Sequence, residues 1–141
     1  MVVSSIDLNF RRAAALTVAA TAQVISSFYY QVTFLPKMGL PEQAAFTKEY
    51  LAVLGRHERV AFLFDTRQIS NVDPRAVLEH IKVFGGLKEV HRQKMVAFGL
   101  VMTSPYLRTF MDWIFRVVPP SSPCAIVESV GEVHRHVVSH V

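Results

Sequence analysis

Two short segments of this chain, Val60-Ala61-Phe62-Leu63-Phe64 and Met95 to Met102, hold nothing but apolar residues and one glycine. Runs of that length are too short for buried helices and read as strands covered on both faces. Such strands belong at the centre of a sheet, with a layer of other structure packed on each side. The residues after each run fit that demand. Asp73-Pro74 and Ser104-Pro105 each supply a side-chain N-cap and a proline for the first helical turn.

The remaining segments fall into place around these two strands. Ala14 to Thr21 and Gln23 to Leu35 are rich in small, β-branched and aromatic residues and predict an opening antiparallel pair. Pro41 opens a helix whose buried stripe is Phe46, Tyr50, Val53 and Leu54, with Gly55 as its stop. A second helix starts at Pro74 and carries Val77, Ile81 and Phe84, and Gly85-Gly86 weakens or kinks it before Leu87 and Val90. The third helix buries Leu107, Phe110, Met111, Ile114, Val117 and Val118 and ends at Pro119-Pro120. Ala125-Ile126-Val127 is the last strand. Ser129 and Glu132 form a capping box for a final helix with Val133, Val137 and Val141 on one face. The order is β-β-α-β-α-β-α-β-α over residues 1–141, an α/β fold whose mixed, mostly parallel sheet has helices packed against it.

Composition narrows the functions open to such a domain. Charged residues make up only 18% of the chain, so it has ample material for a core, and part of its apolar surface is expected to face a partner. The net charge of +4 is scattered; its densest stretch, Lys82, Lys88, Arg92 and Lys94 with His91 among them, reads as a solvated helix face. A nucleic-acid partner is therefore not expected. Cys124 is the only cysteine, which excludes an internal disulfide, and its place between Pro123 and an apolar run suits a small buried residue. No stretch is long enough for a membrane span. Arg11-Arg12 followed by Ala13 to Ala20 imitates a secretory signal, but Asp7 precedes the weak apolar run, and a cytoplasmic protein that keeps its N-terminus is expected.

The loop after the first central strand carries a resemblance. The strand ends Phe64-Asp65, the loop runs Thr66-Arg67-Gln68-Ile69-Ser70-Asn71-Val72, and the next helix is capped by Asp73. This arrangement, together with the element order, resembles the STAS family: the SpoIIAA-like anti-sigma-factor antagonists and the matching domains of sulfate transporters. The resemblance implies a regulatory protein-interaction domain with its functional loop at Asp65, Ser70, Asp73 and Arg75. In phosphorylatable members a serine or threonine stands at the helix start. Pro74 and Arg75 occupy those positions here, so the phosphoacceptor is missing and the phospho-switch does not carry over.

Candidate sites are few. Asp65 and Asp73 could work as paired carboxylates, although a loop anchor and a helix cap account for them. His134, His136 and His140 sit on the last helix, where His136 and His140 share a face without a third ligand at metal-binding spacing. The remaining histidines, His57, His80 and His91, stand singly near helix ends or on polar faces, and no nucleophile motif or phosphate-binding glycine pattern accompanies them. No enzyme, metal or cofactor is expected. The third helix is the richest segment: beyond its core stripe it carries Tyr106, Trp113 and Phe115, flanked by Arg108 and Arg116. Aromatics and arginines of that kind mark interfaces. The first expectation is therefore contact with another protein or with a second copy of the chain. The alternative is a carrier of a small apolar ligand or lipid, which requires an apolar cavity lined by Phe110, Met111 and Ile114.

Overall fold

The computed structural model describes residues 20–26 and 28–140. Strands β1 (Ala20–Ser26) and β2 (Tyr29–Phe34) form an antiparallel pair, and β4 (Val60–Asp65), β6 (Met95–Val101) and β7 (Cys124–Val127) extend it in the order β1-β2-β4-β6-β7. Every pairing after the first is parallel. A separate two-stranded sheet pairs β3 (Lys37–Met38) with β5 (Asn71–Val72). The helices are α1 (Leu40–Arg56), α2 (Pro74–Gly86), α3 (Lys88–Lys94), α4 (Pro105–Val117) and α5 (Val130–Val138). The mixed, mostly parallel α/β architecture expected from the strand runs and caps is the one observed.

The differences are local. The first strand ends at Ser26 and the second begins at Tyr29, so Gln23 to Leu35 is not one strand but the end of β1 and all of β2. Most of the expected strand from Ala14 to Thr21 lies outside the described residues, as does Val141. Helix α1 runs past Gly55 to Arg56. The paired glycines end α2, and the chain restarts as the short α3 after Leu87. Asp73 and Ser104 accept hydrogen bonds from the backbone N–H groups of Arg75 and Leu107, and Ser129 forms its capping box with Glu132.

The strand order decides where the helices go. From β2 to β7 each new strand is added on the same side of the last, and crossovers of one hand then place α1, α2, α3 and α4 on one face. Among the described residues only α5, which follows the last strand, covers the other face. The two faces are built from different materials. Strand alternation sends Phe62, Phe64, Phe98 and Leu100 towards the four-helix side, and Ala61, Leu63, Ala97 and Gly99 towards α5. Small residues let α5 settle close against the sheet. A Cβ added to Gly99 would stand 2.5 Å from Val133 Cγ1, so this strand position requires glycine. Large rings on the opposite face hold α4 further off, at side-chain distance from the strands.

Candidate functional site

The standing-off of α4 leaves a space. A cavity of about 180 Å³ lies between the ring-covered sheet face and the helices. Its floor is Phe34, Phe64, Phe98 and Leu100. Helix α4 supplies Leu107, Phe110, Met111, Ile114 and Phe115, at the spacing of one helical stripe. Helix α2 supplies Val77, His80, Ile81 and Phe84, again one stripe, and α1 supplies Gln43, Phe46 and Tyr50. Met38, Ile69 and Val72 from the small sheet and its loop close one side. Among the described residues no lysine, arginine, aspartate or glutamate lines the space.

The polar groups in the wall are mostly occupied. Tyr50 Oη lies 2.8 Å from His91 Nε2 in a fully buried pair, and Thr66 Oγ1 donates to the carbonyl of Val101 at 2.8 Å. Gln43 Nε2 donates to Thr47 Oγ1 at 3.3 Å. Burial holds the Tyr50 hydroxyl well above its usual pKa and keeps the His91 imidazole neutral by lowering its own. His80 differs from all of these. Its ring stacks on Phe84 with centroids 4.0 Å apart, and it makes no hydrogen bond to the described protein. Protein packed around the ring pushes its pKa down to about 4, with nearby His91 adding to the effect, while its border with the cavity keeps it partly accessible.

The STAS-like loop lies beside the cavity and is tied down by its own side chains. Asp65 is buried at the end of β4 and accepts from the Arg67 backbone N–H at 3.1 Å and from the Arg67 guanidinium at 2.9 and 2.7 Å. Those hydrogen bonds hold its carboxyl below the ordinary value. Asp73 is held the same way by Arg75, whose guanidinium reaches Oδ2 at 2.8 Å. Each carboxylate is thus paired with the arginine two residues ahead. Ser70 is exposed, and its backbone N–H donates to the Pro36 carbonyl at 2.9 Å, fastening the loop to the start of the small sheet.

The candidate interaction residues of α4 separate into two sets. Tyr106, Trp113, Arg108 and Arg116 are exposed, and Val117, expected in the core stripe, is exposed with them. Phe115 goes the other way. It is partly buried, lines the cavity and meets Phe98 edge-on with centroids 6.5 Å apart. Helical geometry explains the split: Phe115 follows Leu107 and Met111 at steps of four, whereas Trp113 follows Tyr106 at a step of seven on the outer side.

The histidines are less solitary than their spacing suggests. His57 pairs with Tyr30 at 2.6 Å and His134 with Tyr29 at 2.7 Å, while His91, which the sequence places on a solvated face, is buried against Tyr50. His136 and His140 stack edge-on at 4.9 Å, but no cluster of three metal-ligating side chains exists among the described residues. Cys124 is partly buried and its thiol is pushed up to about 12, far from a reactive thiolate. The sequence signal for the polar end of the cavity was available: His80 lies three residues after Val77 and four before Phe84, within the stripe those residues define.

No protein-family model matches the chain, and no curated protein matches it either. A solved structure does: an uncharacterised protein of the DUF3478 family with a SpoIIAA-like fold, from Shewanella loihica PV-4. It superposes with a TM-score of 0.60 at 13% sequence identity, covering 83% of this chain and 90% of that one. The fold is SpoIIAA-like. The STAS resemblance read from Phe64-Asp65 and the capped helix at Asp73 therefore holds for the SpoIIAA-like fold, and an identity this low speaks for the fold alone. No helix among the described residues is long and apolar enough to cross a membrane.

Proposed function

We propose that this chain is a non-enzymatic domain that binds a small apolar molecule in the space behind α4. The observation that carries the reading is the cavity itself: about 180 Å³, walled by Phe110, Met111, Ile114 and the aromatic floor, and free of charged side chains among the described residues. An apolar space of about 150 Å³ already takes a benzene-sized guest, because its walls have unsatisfied dispersion contacts and no water to displace at cost. The pairing of Asp65 and Asp73 with their own arginines supports a binding role over an acid–base one. Titration with aminoanthracene, an uncharged fluorophore, tests the proposal. Enhanced, blue-shifted emission is expected on binding. Met111→Trp should fill the space and abolish the signal while the thermal midpoint stays level or rises. Undiminished binding by Met111→Trp would place the dye elsewhere and remove the reading.

A second reading rests on the outer side of the same helix. Tyr106 and Trp113 are 65% and 45% exposed, and large aromatics in water favour a partner surface. A regulatory protein-interaction domain without a phospho-switch, meeting another protein or a second copy of itself, would use that side. Light scattering of the wild type and of Trp113→Glu distinguishes the readings, since only the interaction reading expects a change in assembly.

A further inference from the structure

Two polar side chains of the cavity wall, His80 and Ser121, make no hydrogen bond among the described residues, and His80 is the one that stands in a helical stripe facing the space. A neutral imidazole offers one N–H donor and one lone pair. In His91 the Nε2 atom is committed to Tyr50, and the wall hydroxyl of Thr66 is committed to Val101. His80 makes no such bond, yet it sits in the α2 stripe that faces the space, with its ring fixed by stacking on Phe84. His80 is half-buried rather than sealed from solvent, and a polar group at the border of an otherwise apolar cavity gains a hydrogen bond from a polar atom that occupies the space.

Resting on the reading of the cavity as a ligand site, we infer that its occupant is an uncharged amphiphile, an apolar body bearing one hydroxyl or carbonyl, whose polar atom hydrogen-bonds to His80. The body is held by the Phe64, Phe98 and Met111 side of the space, and the polar atom fixes its orientation. Carboxylates are disfavoured. Among the described residues no cation lines the cavity to neutralise them, and an unpaired buried charge costs far more than a hydrogen bond returns. The imidazole is also a poor source of positive charge, since burial and the neighbouring His91 both oppose its protonation.

Naphthalene, naphthol and naphthoate, the last two with their substituent at the same ring position, share one apolar body and separate the claims. Displacement of aminoanthracene from the full chain at neutral pH should rank naphthol first, naphthalene about fivefold weaker for want of one net hydrogen bond, and naphthoate last. His80→Phe keeps the stack on Phe84 and should bring naphthol down to the level of naphthalene. His80→Gln keeps a donor and an acceptor and should preserve the preference. In the wild type, the His80 imidazole nitrogen resonances should move with naphthol and stay in place with naphthalene, a readout that does not depend on either variant folding. Equal affinities for naphthol and naphthalene, or unmoved nitrogen resonances, would refute the role of His80 while leaving the cavity reading intact. Tightest binding by naphthoate would refute the uncharged class. Failure of all three compounds to bind would remove the cavity reading on which the inference rests.

Discussion

Because the ring of His80 is stacked on Phe84 and hydrogen-bonded to nothing, protonating it would place an unpaired charge in the aromatic layer. Its pKa is lowered from the ordinary 6.5 to about 4, chiefly by burial. Between those values the unfolded chain binds a proton that the folded chain refuses, so stability rises with pH across the window and falls as pH drops from about 6.5 towards 4. The groups facing His80 do not reverse the sign. His91 opposes its protonation, and among the described residues no carboxylate lines the cavity to favour it. His91 and His57 are themselves lowered, chiefly by burial, and act in the same sense. Asp65 and Asp73 are lowered too, but a depressed carboxylate loses its contribution only as pH falls below the ordinary value of 3.8, so their window lies beneath that of the histidines. Urea midpoints measured from pH 7 to pH 4.5 should decline, with His80 accounting for at most about 3 kcal/mol. His80→Phe should flatten most of the slope. An unchanged slope in that variant would mean that His80 is already protonated in the fold. By spacing His80 falls within the stripe of Val77, Ile81 and Phe84, but only the position of that stripe against the sheet shows that it borders a cavity.

At the scale of elements, the close packing of α5 depends on the missing side chain at Gly99. A Cβ there would meet Val133 Cγ1 at 2.5 Å and Cγ2 at 2.9 Å, well inside contact distance. Strand β6 is central, so neither it nor α5 yields easily. Gly99→Ala should therefore cost about 1–3 kcal/mol by overpacking. Combined with Val133→Ala, which opens room at that point, the cost should fall short of the sum of the single changes by at least about 0.5 kcal/mol. Additive costs in urea unfolding would show that the two positions do not press on each other. Much of this layer was legible in the sequence. The apolar runs gave β4 and β6, and the caps at Asp73, Ser104 and Ser129 gave three helix starts. These features are local, and the structure keeps them. The break between β1 and β2 after Ser26 was not legible, because no Asn-Gly or similar turn pair punctuates the stretch from Gln23 to Leu35. Nor was the small sheet of β3 and β5, two residues in each strand, which exists only because Pro36 and Met38 accept hydrogen bonds from Ser70, Asn71 and Asp73. The cavity was legible only as the requirement of the carrier alternative, with Phe110, Met111 and Ile114 as its wall, and its presence was not. Its residues are ordinary core types, and sequence periodicity says which face of a helix turns inward but not how far the helix stands from the sheet.

Across the whole molecule, the two faces of the sheet differ in how firmly their helices are held. Helix α5 is set down on small residues, whereas α4 rests on large rings with a cavity beneath its inner stripe. Opening α4 alone breaks few backbone contacts and empties the cavity, so this helix is expected to open independently of the rest of the fold. A ligand that occupies the cavity must then oppose that opening by its full binding free energy. Local opening of α5 leaves the cavity walls standing and gains nothing. With naphthol at a hundred times its Kd, amide hydrogen exchange in α4 should slow by about a hundredfold, while amides of α5 that exchange by local opening should be little affected. The outer side of α4 offers a second view of the same event. Trp113 is the only tryptophan in the chain and is 45% exposed on that side, so its emission should shift as the helix closes on its guest. The two proposed roles of α4, inner wall and outer surface, would then be linked, because a guest that fixes the helix also fixes the surface it offers to a partner. Exchange that slows equally over α4 and α5 would show that α4 opens only with the whole fold, and exchange in α4 that does not slow at all would show that its opening leaves the ligand in place.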